Sequence, residues 1–311
     1  MYSTFIPYLK IARFDHWFKN IFMLPGIIVA LFAQPALFTP TCCLRIGLSF
    51  LIAGIVASSN YVLNELLDAK FDALHPVKKN RPIPSGLVHR PIAVGQWLIL
   101  AILGLYLAAF LGNSFFYVTL SLWVMGCIYN IPPIRSKDKP FLDVLSESVN
   151  NPIRLMLGWY ATGIDIIPPI SLLLAYWMIG AFFMAIKRFA EFRMIANPKV
   201  SADYRKSFGY YNEERLLQSI IYYATAFGLF LGIFLIRYRM ELIVSVPLLA
   251  GFMAWYMHLG FLENSPTQNP EHLYKQRGFV LYCFLCCITL IALLFLPIPA
   301  LYEIFFPSFT P

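Results

Sequence analysis

The stretch IGLSFLIAGIVASSNYVLNELLDAKFDALHPVKKNRPIPSG, residues 46–86, decides how this chain is read. Its first part, Ile46 to Leu63, is an uncharged, mostly apolar run of the length that crosses a bilayer. Asn64, Asp68 and Asp72 follow at intervals of four. On a helix of about 3.6 residues per turn that spacing stacks the three side chains along one stripe, about 6 Å apart. His75, Lys78, Lys79 and Arg81 come directly after, among Pro76, Pro82 and Pro84. The prolines exclude one continuous helix through the basic segment, so a shaped loop is expected. Oxygen ligands in register suit a hard cation such as Mg²⁺, which commonly bridges to phosphates, and nearby cations can take the remaining phosphate oxygens. Acids at this spacing also occur on ordinary solvated helix faces. Their place at the end of a membrane-crossing run, where ionisable groups are costly, favours function and a diphosphate site at a membrane surface.

Composition agrees with a membrane protein. Hydrophobic residues make up 59% of the 311 residues, charged residues 13%, and the mean hydropathy is +0.67; soluble domains carry about 25% charge. The apolar runs are continuous rather than alternating, which excludes a β-barrel. The expectation is an all-α, polytopic membrane protein. About nine transmembrane helices fall near residues 20–38, 44–66, 92–112, 114–134, 141–163, 168–188, 215–236, 241–261 and 278–298. A tight turn at Gly112–Ser114 closes a helical hairpin, and the fifth span is interrupted by Asp143, Glu147, Asn150, Asn151 and Arg154. No repeat or low-complexity tract divides the chain, so residues 1–311 read as one integral membrane domain.

Basic residues orient it. The ends comprising residues 1–19, 66–91, 135–154, 187–215 and 263–277 hold 21 of the 24 Lys and Arg; the opposite ends keep Arg45, Arg237 and Arg239. The positive-inside rule puts the N-terminus and the motif loop in the cytoplasm, as in a multi-pass protein of the cytoplasmic (inner) membrane. A net charge of +8 fits this asymmetry and anionic substrates better than nucleic acid, for which no module is evident. Met1 to Asn20 is too polar for the apolar core of a signal peptide. The six cysteines, including Cys283 and Cys286, lie in or beside apolar spans and read as structural.

Further polar positions cluster at the same ends: Arg13 to Asn20 with Trp17 and Lys19, and a loop from Tyr129 to Lys139 containing Arg135 and Lys137. Asp143 and Glu147 form a second acidic pair on the helical side that carries Asn150, Asn151 and Arg154. Lys187, Arg188 and Glu191 close the sixth span, and Arg205, Tyr210 and Tyr211 sit in the loop after it. Two acidic pairs at like ends of two spans suggest a cavity lined by both, capped by basic loops.

These motifs together resemble the UbiA-type superfamily of intramembrane prenyltransferases. The HPxKxxRPxxxG run (His75, Pro76, Lys78, Arg81, Pro82, Gly86), WxKN (Trp17, Lys19, Asn20) and KRxAE (Lys187, Arg188, Ala190, Glu191) are similar to its decaprenyl-phosphate phosphoribosyltransferase branch, over about residues 10–215. Two departures stand out. Glu65 follows Asn64 where the family usually has Asp, and Asn150, Asn151 and Pro152 precede Arg154 where the family is mostly aliphatic. The resemblance implies a UbiA-like helical bundle with cytoplasmic loops capping a central cavity. It also implies Mg²⁺-dependent transfer of a 5-phosphoribosyl group from phosphoribosyl pyrophosphate to a polyprenyl phosphate. In that reading Asn64, Asp68 and Asp72 hold metal and pyrophosphate, Lys78 and Arg81 hold phosphate oxygens, and Asp143 completes the metal site or contacts ribose. Lys187 and Arg188 bind the 5-phosphate or the lipid phosphate, with Lys19, Tyr129, Lys137, Glu147, Arg154 and Glu191 as further substrate contacts. A homo-oligomer is compatible with this reading. Two alternatives stand beside it: a prenyltransferase acting on an aromatic or other small acceptor, and a transporter for a phosphorylated solute.

Overall fold

A computed structural model describes residues 2–73, 78–195, 205–268 and 270–305, and among them there is helix and no strand. The elements are α1 (Tyr2–Ile11), α2 (Leu24–Ala33), α3 (Pro40–Asp72), α4 (Arg90–Ala109), α5 (Asn113–Asn130), α6 (Leu142–Ser148), α7 (Asn150–Ala161), α8 (Ile170–Ile195), α9 (Glu213–Tyr238), α10 (Val246–Phe261), α11 (Arg277–Phe295) and α12 (Pro299–Phe305). Among the described residues, seven stretches are long and apolar enough to cross a membrane: Phe5–Ala33, Pro40–Asp72, Arg90–Ala109, Ile170–Ile195, Glu213–Tyr238, Met240–Phe261 and Arg277–Phe295. The other two expected spans coincide with α5, 18 residues ending in Asn130, and with the pair α6 and α7. The interruption in that pair lies at Val149, whose backbone stays right-handed (φ −60°, ψ −20°). Pro152 follows in the next turn and has no N–H to give the preceding turn. The Asn150 side-chain amide donates to the Glu147 carbonyl at 3.0 Å. The departure from the family pattern before Arg154 is therefore a local helix irregularity.

The chain divides into two compact units, one of Met1–Pro168 with Asn197–Tyr211, the other of Pro169–Ala196 with Asn212–Pro311. In the first, α3 is the central element. Thr39 caps its start by accepting from the Cys42 N–H at 3.2 Å, and Pro40 stands at the first helical position. Its 33 residues span about 50 Å, well beyond a hydrocarbon core of about 30 Å, so the last turns project past the apolar layer. Met23, Ile52, Val56, Phe115, Leu122 and Leu157 form the core around it. With lipid outside, close packing rather than burial from water holds such helices together, and small residues permit it. A Cβ on Gly26 would collide with the Leu155 carbonyl, one on Gly158 with the Met23 carbonyl, and one on Gly54 with the Trp17 indole. The expected hairpin turns at Gly112, whose φ of +109° suits a residue without a side chain.

In the second unit α8 packs along α9, and Phe183, Tyr256, Phe252 and Phe279 interlock, with the Phe183 and Tyr256 rings 4.7 Å apart and the Phe252 and Phe279 rings stacked at 5.4 Å. Asn212 caps α9 by accepting from the Arg215 N–H at 2.7 Å. Glu213 and Glu214 follow in its first turn, where the helix dipole favours acids. All six cysteines are unpaired, Cys42 and Cys286 being buried.

Candidate active site

The last three turns of α3 carry the stripe, and the structure shows what each member meets. The Lys137 ammonium donates to Asn64 Oδ1 (3.2 Å), Asp68 Oδ1 (2.6 Å) and Asn130 Oδ1 (2.7 Å). That uses all three of its protons. Arg135 Nη2 reaches the same Asp68 oxygen at 2.8 Å, while its Nε pairs with Asp138 at 3.0 Å. Lys137 is 5% exposed. Burial pushes its pKa down to about 8 against the upward pull of Asp68, with Arg135 and Arg205 adding to the downward push. Asn64 and Asp68 thus already converge on one positive centre.

Asp72 meets a different partner. Positions eight apart on a helix differ by about 80° in azimuth, so Asp72 faces away from Lys137 and toward the motif loop. There Arg81 Nη1 lies 2.6 Å from its Oδ2. Glu65 supports the same loop, its Oε1 accepting the Ile83 N–H at 3.1 Å. The loop then turns through Gly86 at φ +76°, the left-handed region that favours glycine and the reason for the last letter of the motif. Glu65, the departure from the family's usual Asp, is a carboxylate spent on backbone. Lys78 opens this turn; His75 and Pro76 lie outside the described residues.

The second acidic motif is built otherwise. Asp143 is fully buried, and its Oδ1 accepts from the Tyr211 hydroxyl at 2.6 Å while Oδ2 accepts from Ser207 (3.2 Å) and faces Arg205 (3.4 Å). The Tyr211 oxygen accepts in turn from the Phe141 N–H at 2.6 Å. Asp143 therefore ties residues 205–211 to the start of α6. Glu147 accepts from the Tyr129 hydroxyl at 2.9 Å, and the Lys137 ammonium lies 5.7 Å from the Tyr129 ring centre, so Glu147 and Tyr129 border the Lys137 cluster. Arg154 is buried and its Nε faces Asn20 Oδ1 at 3.5 Å, while Lys19 lies 5.9 Å above the Tyr61 ring. Lys187, Arg188 and Glu191 belong to the second unit, where Arg188 Nη1 pairs with Glu191 Oε2 at 2.9 Å and is 1% exposed.

Oxygen donors can be tested for metal binding on this arrangement. No group of three or more His, Cys, Asp or Glu placed to hold a metal exists among the described residues. Asn64 and Asp68 nonetheless present hard oxygens to a shared cation, which fits an ion that takes its remaining ligands from substrate phosphates. Asn130 entered the site without any signal in its spacing, because it ends an apolar helix. Arg135 and Arg205 were legible only as basic loop residues.

A model of the UbiA prenyltransferase family matches residues 22–284. The chain belongs to that family. This UbiA-family chain is similar to nodulation protein NoeC of Azorhizobium caulinodans, 31% identical over 187 residues that cover 60% of the chain and 58% of that protein. It is also similar to the decaprenyl-phosphate phosphoribosyltransferase of Mycolicibacterium smegmatis, 27% identical over 213 residues, 67% of the chain and 63% of that protein. The chain spans about three-fifths of the length of these curated relatives. Among solved structures, a UbiA homolog from Archaeoglobus fulgidus bound to GPP and Mg²⁺ matches with a TM-score of 0.67 at 19% identity, covering 93% of this chain and all of that one. The all-helical fold is thus that of UbiA proteins, and the chain is a multi-pass membrane protein of that family.

Proposed function

We propose that this protein transfers a 5-phosphoribosyl group from phosphoribosyl pyrophosphate to a polyprenyl phosphate, at the cytoplasmic face of the inner membrane, with both units acting as one transferase. One observation carries the reading: Arg135 and Lys137 on Asp68, Arg135 and Lys206 on Asp138, Arg81 on Asp72 and Arg205 on Asp143 make five cations around four carboxylates. A prenyl diphosphate needs cations for one diphosphate. A phosphoribosyl donor carries a further phosphate, which the surplus suits. Similarity to the decaprenyl-phosphate phosphoribosyltransferases supports the same choice.

In this mechanism the acceptor phosphate oxygen attacks C1 of the ribose as the bond from C1 to pyrophosphate breaks. Mg²⁺, when bound, would offset the negative charge gathering on the departing pyrophosphate. Asn64 and Asp68 would hold it. Their oxygens are then no longer available to Lys137, and its protons, with those of Arg135, turn to phosphate oxygens where charge develops. Arg81 stays with Asp72 and keeps the motif loop against α3. Asp143 keeps residues 205–211 in place, so Arg205 is presented rather than mobile.

Prenyl transfer to a small acceptor is the second reading, favoured by 33% identity over 85 residues to the digeranylgeranylglyceryl phosphate synthase of Pyrococcus abyssi, a match covering 27% of the chain. Incubating purified protein with membranes and either labelled phosphoribosyl pyrophosphate or a labelled prenyl diphosphate separates the two. Label from phosphoribosyl pyrophosphate should enter the lipid fraction. Consumption of the prenyl diphosphate alone, with no such label, would refute the proposal.

A further inference from the structure

A cavity of about 480 Å³ opens beside α3, between Lys10, Arg13 and Phe14 at the N-terminus and Glu65, Arg81 and Pro82. Three cations face it. Arg13 Nη2 is bonded to His16 Nε2 at 2.6 Å and Arg81 Nη1 to Asp72 at 2.6 Å. Each guanidinium carries five N–H donors, so one such contact leaves others for a ligand. Arg13 has a left-handed backbone (φ +50°), a conformation that is strained for a residue with a side chain. That turn joins α1 to the helical stretch beginning at Phe14 and sets Lys10 and Arg13 on one cavity. Two carboxylates also line the space. Glu65 is buried and committed to the Ile83 N–H. The Asp15 side chain is 75% exposed and lies 3.4 Å from His16, where solvent screens it.

The apolar part of the wall is exposed: Ile6 is 51% accessible, Leu9 45% and Phe14 48%. Basic groups flanked by outward apolar side chains, in a segment at the edge of a membrane-spanning stretch, match the depth at which phosphate headgroups meet acyl chains. A free anion would make no use of Ile6, Leu9 and Phe14.

We propose that this cavity is a docking site for an anionic phospholipid of the surrounding bilayer, with Lys10, Arg13 and Arg81 on the phosphate and the chains lying over Ile6, Leu9 and Phe14. Lys10 and Arg13 have no part in the mechanism above; Arg81 is shared, its Nη1 staying on Asp72 in both. Native mass spectrometry of the purified full chain, titrated with phosphatidylglycerol or phosphatidylcholine, tests it. Phosphatidylglycerol should be retained preferentially. Lys10→Gln with Arg13→Gln should lower its retention by about tenfold or more, at about 1 kcal/mol for each cation near the lipid surface. Lys10→Gln alone leaves the Arg13 turn intact and should give an intermediate loss, which separates lost binding from lost folding. Equal retention of the two lipids, or unchanged retention in both variants, overturns the proposal. So does displacement of phosphatidylglycerol by millimolar inorganic phosphate, which marks a site for free phosphate, or loss in the variants of polyprenyl phosphate binding alone, which assigns the cavity to the acceptor.

Discussion

Asp68 and Asp143 are acids of the two expected motifs, yet the molecule holds them in opposite ways. Asp68 is partly exposed and meets two long cationic side chains, Arg135 and Lys137, that share a single turn of backbone. Asp143 is wholly buried and meets a phenol, a hydroxyl and a guanidinium from residues 205–211. Long cationic side chains on an accessible carboxylate can leave it to a metal ion and take up phosphate instead, without moving the backbone. A carboxylate sealed under a tyrosine and a serine is a fastening. Under the proposed function, ligand exchange falls to the first motif and loop anchorage to the second.

The sharpest way to break that contrast is to neutralise each acid. Asp68→Asn should lower turnover by roughly 100-fold or more while the protein keeps its thermal unfolding profile in detergent, and EDTA should abolish wild-type activity until Mg²⁺ is restored. Activity that survives chelation would remove the metal from the first motif. Lys137→Met tests the exchange directly. Losing one charge-assisted contact should raise the KM for the diphosphate donor by about ten- to a hundredfold, and a KM unchanged beside a lowered kcat would mean that Lys137 only props Asp68. Asp143→Asn should instead show itself in stability, a loss of about 1–3 kcal/mol from mismatched buried partners, with hydrogen exchange rising in residues 205–211. If it mirrors Asp68→Asn, with full stability and no turnover, the anchoring role fails. The smallest effect belongs to Gly86→Ala. No atom lies within 4 Å of the added methyl, so the cost of about 1 kcal/mol is conformational alone, read as a small drop in unfolding temperature.

Much of this was legible in the sequence because it is local. Apolar runs marked the helices, Gly112 the hairpin, and the interval of four placed Asn64 and Asp68 together. What escaped depends on distance or on drift. The helical interval of four slips by about 40° each step, enough by Asp72 to pass from Lys137 to Arg81. Tyr211 and Ser207 reach Asp143 from 68 and 64 residues away, and no periodicity links such positions. Asn130, which falls inside the expected span 114–134, proved to be a third acceptor for Lys137. The stretch Phe14–Met23, expected as loop and span, winds as a tighter 3₁₀ helix before α2 begins.

Arg45 was one of three exceptions to the charge asymmetry, and its surroundings bear on how the protein is made. Its guanidinium donates to the carbonyls of Leu111 (2.7 Å) and Ala161 (3.2 Å), which lie 66 and 116 residues later in the chain. During synthesis α3 therefore enters the bilayer before either partner exists. Until α4 and α7 arrive, the charge must stay with water or lipid headgroups near the start of α3. The hand-over of Arg45 from solvent to protein carbonyls is then a latch that closes only once α7 has been inserted.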